Sequence, residues 1–353
     1  MHNSRHRVLG AVALAACLIS AAAGAADTVA FGSCLRQWKP APIWRSVLAS
    51  GPDLFILSGD AVYADGGLNR FAPEPERIAR AYRSLSERTG FQALRAQVPV
   101  YATWDDHDYG LDNAGAEYPW KEVSERLFLD FFDVPDSAPE RGRPGVYSSR
   151  VLGEPGRRIQ LILLDTRYFR SPTLRGDDGD CPGGGYEPNR DPQATLLGDD
   201  QWQWLAGRLR EPAELRILVS SIQVISDRHC FEKWANFPLE RGRLFELIGE
   251  TGASGLVLVS GDRHFAEISR LVDSAAGYPL YEVTASGLNT SRRPRGDEDN
   301  PYRVSGSAYG GENFGLIRVD WDAEAPRVHL EVHGLDGGTV REVELPLSLL
   351  AAP

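Results

Sequence analysis

Six short apolar segments, most of which end in Cys or Asp, restrict the fold of this chain more than any other sequence feature. Each is long enough for one strand, and continuous apolar residues are typical of strands buried on both faces. Stretches with helical character lie between them, so strand and helix alternate and the sequence predicts an α/β fold. The predicted strands cover residues 28–34, 53–60, 98–105, 158–165, 216–224 and 255–262.

The remaining elements follow from helical and alternating patterns. The predicted helices cover residues 42–49, 75–88, 121–132, 199–209 and 240–248. After residue 278 apolar and polar residues alternate, which indicates antiparallel strands; these cover 280–284, 314–321, 327–333 and 339–347. Residues 171–194 and 289–312 are rich in turn-forming and charged residues and are predicted to be long loops.

The first 26 residues have the three parts of a secretory signal peptide: basic residues, an apolar segment and a run of small residues. We expect cleavage after Ala26, which leaves one mature domain at 27–353 in an exported, periplasmic or extracellular protein. The residues up to Cys17 also resemble a lipoprotein box, so a lipid anchor at Cys17 is the alternative. No later stretch is long and apolar enough to predict a transmembrane span.

The overall charge is acidic, with a formal net charge of −11 at pH 7. Proteins that bind nucleic acids through a charged face normally present a basic one. We therefore expect no nucleic-acid-binding face.

Potential metal ligands gather where the predicted strands end. In open α/β sheets, ligands bind beyond the carboxyl ends of the strands. Carboxylate and imidazole groups suit divalent and trivalent metals, and a thiolate with a phenolate favours a ferric ion or another strong Lewis acid. Neighbouring carboxylates repel one another unless cations or protons neutralise them. The residues at these ends are Cys34, Asp60, Tyr63, Asp105, Asp106, His107, Asp108, Asp262 and His264.

Six segments of the sequence resemble those of one known family in their order and spacing. They are FGSC at 31–34, LSGDAVYAD at 57–65, TWDDH at 103–107, LDTRY at 164–168, EKWANF at 232–237 and VSGDRH at 259–264. The chain is similar in these segments to the PhoD-like (alkaline phosphatase D) family of metallophosphatases, over about residues 29–320. The resemblance implies a four-layer αββα sandwich, and an enzyme that hydrolyses phosphate mono- or diesters with ferric iron and calcium.

The resemblance also implies a role for each matching residue. Cys34, Tyr63 and His264 match the family's iron ligands, and Asp60 matches the aspartate that can bridge two metals. The ordinary metallophosphatase Asp-x-His opening is missing, and Cys34 stands at that point. Candidate calcium ligands are Asp105, Asp106 and Asp262.

Three residues are expected to act in catalysis. His107, beside Asp106, is a ligand or a proton donor to the leaving oxygen. Arg167, like Arg263, could stabilise the phosphoryl oxygens or form a structural salt bridge. The metals would offset the protein's negative charge and lower the pKa of a bound water that attacks phosphorus. With Cys34 as a ligand, Cys181 and Cys230 remain to form a disulfide.

Three other functions stay open. One is a phospholipase D-type phosphodiesterase on the same scaffold. Another is a hydrolase in which Cys34 is the nucleophile and His264 the base. The third is a binding protein on a metallophosphatase fold that has lost its activity.

Overall fold

The computed structural model describes residues 26–66, 74–176, 185–294 and 298–352. The predicted signal peptide up to residue 25, with Cys17, lies outside these ranges. These ranges contain fifteen strands, numbered along the chain: β1 (Thr28–Gly32), β2 (Leu54–Ser58), β3 (Val100–Thr103), β4 (Ser148–Leu152), β5 (Ile159–Leu163), β6 (Leu174–Arg175), β7 (Tyr186–Glu187), β8 (Leu215–Val219), β9 (Leu256–Ser260), β10 (Ala266–Leu271), β11 (Leu280–Ala285), β12 (Arg303–Tyr309), β13 (Asn313–Asp320), β14 (Arg327–Gly334) and β15 (Thr339–Pro346).

Seven α-helices occur in the same part of the chain. They are α1 (Trp44–Ala49), α2 (Pro75–Ser86), α3 (Thr89–Gln97), α4 (Asp106–Tyr109), α5 (Lys121–Phe131), α6 (Gly198–Leu209) and α7 (Pro238–Thr251). No helix among the described residues is both long and apolar enough to cross a membrane.

Most of the strands belong to two mixed sheets. The first has the order β15-β14-β13-β1-β2-β3, in which β1, β2 and β3 are parallel. The second has the order β12-β10-β11-β9-β8-β5-β4, with β5, β8, β9 and β11 parallel. Strands β6 and β7 form a small separate ribbon. In both sheets, parallel strands therefore bring several carboxyl ends to one edge.

Alternating side chains show how the layers stack. On β2, Leu54 and Ile56 belong to a core shared with the second sheet, whereas Phe55 and Leu57 pack with residues of the helices α1 to α3. Successive side chains of a strand point to opposite faces, so β2 lies between a sheet and a helical layer. Helices α6 and α7 cover the second sheet through residues such as Trp202. The predicted four-layer αββα sandwich is confirmed.

The predicted strands are present but mostly shorter. Strands β1, β2 and β9 each end two residues before the Cys or Asp that was included in the prediction, because the chain turns there. The antiparallel prediction is only partly correct for β11, which pairs in parallel with β9 and antiparallel with β10.

The prediction of a loop over 289–312 is wrong for Arg303–Tyr309, which forms the edge strand β12. This strand has small and polar residues and is not fully buried at any position, so it carries no apolar run to mark it. The other predicted loop contains the short β6–β7 ribbon.

The cysteines fall into two kinds. Cys34 is a buried free thiol, and Cys230 is disulfide-bonded. Cys181 lies outside the described residues, so its pairing with Cys230 stays a prediction.

Candidate metal centre

The carboxyl ends of β1, β2 and β9 are packed against one another. A Cβ atom at Gly261 would lie 2.6 Å from Ser33 Oγ and 2.7 Å from the carbonyl oxygen of Ser58. A Cβ at Gly59 would lie 2.6 Å from Asp105 Cβ. Real Cβ atoms do not approach other atoms so closely, so glycine is required where these strand ends meet.

Four candidate ligands have a left-handed backbone at these ends. The φ angles are 63° at Cys34, 53° at Asp60, 68° at Asp262 and 61° at His264. This conformation is costly for residues with a Cβ and persists only where the surrounding structure enforces it. Such strained residues cluster at functional sites, and here each one aims a potential ligand beyond a strand end.

One group of side chains combines sulfur, oxygen and nitrogen donors. Ligand atoms of Cys34, Asp60 and His264 all lie within 4.8 Å of one another. The Tyr63 hydroxyl donates to Asp60 Oδ2 at 3.1 Å and lies 3.0 Å from His264 Nε2. The structure thus brings together the four residues that the resemblance assigns to iron.

A second group shares Asp60 with the first. Ligand atoms of Asp60, Asp106 and His107 also lie within 4.8 Å of one another. The oxygens of Asp106 accept backbone N–H groups of His107 at 2.9 Å and Asn113 at 2.7 Å. A carboxylate has about four acceptor positions, so these bonds leave Asp106 room for a further partner.

His107 is fixed on two sides. Its Nδ1 atom lies 2.8 Å from Asp65 Oδ2, and its ring stacks on Tyr63 with 4.1 Å between the ring centroids. Burial opposes a charge on His107, but Asp106 and Asp60 raise its pKa well above the usual value. The imidazole can therefore hold a proton beside the carboxylates.

Neither Asp105 nor Asp262 belongs to the two ligand groups that occur among the described residues. Asp105 Oδ1 accepts from Arg167 Nε at 2.7 Å and from Ser221 Oγ at 2.6 Å. Asp262 Oδ2 is 3.5 Å from the guanidinium of Arg263. Burial is the main cause of the raised pKa of both carboxylates, and the nearby charge of Asp106 adds to it.

Arg167 is enclosed behind Asp105. Its side chain has no exposed surface, and it pairs with Glu232 at 2.6 Å as well as with Asp105. Glu232 also pairs with the buried Arg170. The Arg167 side chain therefore contacts the candidate ligand Asp105 and is not exposed to solvent.

Several acidic groups of the centre are buried, and burial disfavours their charged forms. Burial raises the pKa of Cys34 and of Asp60, and it raises the pKa of Asp262 to about 6. Burial also lowers the pKa of His264 to about 3, so that imidazole is neutral. Two buried oxygens, Asp60 Oδ1 and Asp105 Oδ2, have no hydrogen-bond partner in the described part of the chain. Buried groups of this kind are normally satisfied, so the donor set fits bound cations.

Sequence reasoning missed residues that support the ligands. Ser286 Oγ accepts the backbone N–H of His264 at 2.8 Å and lies 3.1 Å from Cys34 Sγ. Asp65 fixes His107, and Ser221 bonds Asp105. Asp65 was visible at the end of the 57–65 segment, and Ser286 directly follows β11. A search for polar residues at every parallel strand end would have included Ser286.

Two stacked sheets between helices, with Asp, His and Cys at adjoining strand ends, define a metallophosphatase-like fold. The chain belongs to the PhoD-like phosphatase family, whose model matches residues 29–328. Among curated proteins, alkaline phosphatase D of Bacillus subtilis (strain 168) is 26% identical over 321 residues, which covers 78% of this chain and 54% of that protein. The chain thus spans about half the length of this relative.

Two solved structures share the fold. The structure of PhoD aligns with a TM-score of 0.67 at 18% identity, over 92% of this chain and 69% of that chain. GAP50, the anchor in the inner membrane complex of Plasmodium, aligns with a TM-score of 0.54 at 10% identity, over 90% of this chain and 88% of that chain. At these identities the similarity concerns the fold alone.

Proposed function

We propose that this chain is an exported, metal-dependent phosphoric ester hydrolase that acts on phosphate mono- or diesters. The observation that carries the proposal is Asp60, whose carboxylate belongs to both ligand groups of the candidate centre. A shared carboxylate is the arrangement expected where two metals lie side by side. Membership in a family of phosphatases supports a phosphate ester as the substrate.

The donor types support two different metals. Cys34, Tyr63 and His264, together with Asp60, would hold a ferric ion, because thiolate and phenolate ligands suit a strong Lewis acid. Asp60 and Asp106 would hold calcium with the help of Asp105 and Asp262, because calcium prefers carboxylate oxygens. When bound, the metals supply positive charge for the phosphoryl oxygens and make water a stronger nucleophile at neutral pH.

The protein's own residues would orient this centre and move a proton. His107, held by Asp65, would donate a proton to the leaving oxygen of the ester. Arg167 would act as a positioning residue, because it is enclosed and fixes Asp105. Ser286 would keep Cys34 and His264 in place.

The location proposed for the enzyme rests on the sequence. Residues 1–26 would be removed as a signal peptide, leaving 27–353 as one PhoD-like domain. A lipid anchor at Cys17 is the alternative form of the exported protein.

Replacing the shared carboxylate tests the proposal. Asp60→Asn should lose metal and at least about 10³-fold in turnover of phosphate esters, since the amide is neutral and a poorer ligand. Asp53→Asn is a matched control at the other end of the same strand, where Asp53 accepts backbone N–H groups of residues 27 and 28. Normal metal content and turnover in Asp60→Asn would contradict the bridging role.

The rival functions give different results in the same assays. A hydrolase with Cys34 as nucleophile would keep its activity after chelation, whereas a metalloenzyme would lose it. A phospholipase D-type enzyme would hydrolyse phospholipid diesters and leave monoesters intact. A pure binding protein would be inactive and free of metal.

A further inference from the structure

Arg36 has a guanidinium beside the candidate centre that is not paired with any carboxylate of the described residues. The residue lies two positions after Cys34, and its guanidinium carbon is 5.1 Å from the centroid of the Tyr63 ring. Its Nε atom is buried and has no hydrogen-bond partner among the described residues. In the same part of the chain its guanidinium forms no ion pair. Buried guanidinium donors are normally satisfied, so this arginine is available to an anion.

The position of Arg36 is fixed without the use of those donors. Its backbone N–H donates to Asn289 Oδ1 at 2.7 Å, and its carbonyl oxygen accepts from Asn289 Nδ2 at 3.0 Å. The guanidinium also lies 5.9 Å from the centroid of the Trp38 ring, so aromatic faces of Trp38 and Tyr63 flank it. Cation–π contacts of this kind hold an arginine in place and leave its N–H groups free.

Two other arginines near the candidate centre are already engaged by carboxylates. Arg167 is fully enclosed between Asp105 and Glu232. Arg263 is 2% exposed and pairs with Glu298 at 2.6 Å. Among the described residues, both of these guanidinium groups have a carboxylate partner, whereas that of Arg36 has none.

We propose that Arg36 binds a non-bridging phosphoryl oxygen of the substrate. The inference rests on the proposed function and adds the residue that recognises the phosphate next to the metals. A guanidinium matches phosphate oxygens in charge and geometry. Tyr63 connects Arg36 with the candidate centre, because its ring lies against Arg36 while its hydroxyl donates a hydrogen bond to Asp60. A phosphoryl group at the metal centre thus comes next to the Arg36 donors.

The test uses the metal-loaded protein with Arg36→Ala and Arg36→Lys. We expect Arg36→Ala to raise the KM for p-nitrophenyl phosphate and the Ki of inorganic phosphate in parallel, by about 10- to 100-fold, the effect of one charge-assisted hydrogen bond. The kcat should change by less than about 3-fold, because an interaction made equally in the ground and transition states affects KM alone. Arg36→Lys should restore part of the phosphate affinity.

Arg210→Ala is the matched control. Arg210 lies at the C-terminal end of α6, ahead of the amino end of β8 and thus on the side of the sheet opposite to the candidate centre. The Arg210→Ala variant should have the same KM for p-nitrophenyl phosphate and the same Ki of inorganic phosphate as the unmodified protein. An unchanged Ki in Arg36→Ala would overturn the inference, and so would a loss of phosphate affinity that follows a loss of metal.

A failure of the Arg36 inference can be distinguished from a failure of the proposed function. If the unmodified protein turns over no phosphate ester, the proposed function fails by itself. Calorimetric titration of inorganic phosphate into the unmodified protein and Arg36→Ala then still tests the inference. Weaker binding by the variant supports it, and equal binding or no binding by both proteins contradicts it.

Discussion

Ser286 contacts two candidate ligands with one hydroxyl group. Its oxygen accepts the backbone N–H of His264 and lies 3.1 Å from Cys34 Sγ. The two ligands belong to different sheets, so a single small side chain sets the distance between them. Residues that orient metal ligands in this way commonly affect metal affinity about 10- to 100-fold.

We expect Ser286→Ala to bind iron about 10- to 100-fold more weakly, because the Cys34 thiol and the His264 backbone lose their common partner. Competition with an iron chelator measures the effect. Ser50→Ala serves as the control, since Ser50 Oγ donates to the nearby Val47 carbonyl in α1 and lies away from the centre's ligands. Equal iron retention in the two variants would show that Ser286 does not support the centre.

At this scale the sequence indicates the candidate ligands better than the residues that contact and orient them. Asp60, Asp106 and His264 could be predicted because each lies next to a strand end in a recognisable local segment. The contacts of Ser286 and Arg36 could not, because their partners are far away in the chain and meet only when the sheets stack. The sequence leaves Arg167 between a catalytic and a structural role, and its burial with its partners supports the proposal of a positioning role.

The strand ends around the centre are too closely packed for an added methyl group. Gly261 follows β9, and a Cβ there would be 2.7 Å from the backbone oxygen of Ser58. That oxygen belongs to β2 in the other sheet and cannot move without shifting its strand. The distance between the sheets at this edge thus depends on a glycine.

Gly261→Ala should lower the free energy of unfolding by about 1–3 kcal/mol, the usual cost of overpacking. Urea denaturation measures it. Gly207→Ala is the matched control, because Gly207 lies in α6 and the added Cβ would have no described atom within 4 Å apart from the neighbouring backbone of that helix. In a helix this change should stabilise by about 0.5–1 kcal/mol. If both variants are equally stable, the strand ends are less tightly packed than described.

Strands with a continuous apolar pattern or a regular alternation of apolar and polar residues were predictable, whereas β4 and β10 were not. Strand β10 was missed because Glu267 interrupts its apolar pattern, although that residue is buried and paired with Arg303. Strand β4 was missed because no position in it is buried. In both cases tertiary contacts, and not a local pattern, determine the strand.

The candidate centre joins the two halves of the whole molecule. Cys34, Asp60 and Asp106 follow strands of the first sheet, and His264 follows β9 of the second. A metal held by both would bind the folded protein and not the unfolded chain. Ligands of this kind stabilise the folded state by mass action.

Removal of metal should therefore lower the thermal unfolding midpoint, by about 4 °C or more if the metal contributes at least about 2.7 kcal/mol. Differential scanning calorimetry before and after chelation measures the shift. Asp60→Asn, which should already lack metal, is expected to show little further change. An equal shift in both proteins would mean that the chelator acts elsewhere.

Elemental analysis of the exported protein, with turnover of a phosphate monoester and a diester before and after chelation, tests the metalloenzyme proposal most directly. We expect iron and calcium in the active protein, and loss of both metals together with activity on chelation. Undiminished turnover by a protein shown to be free of metal would contradict the proposal.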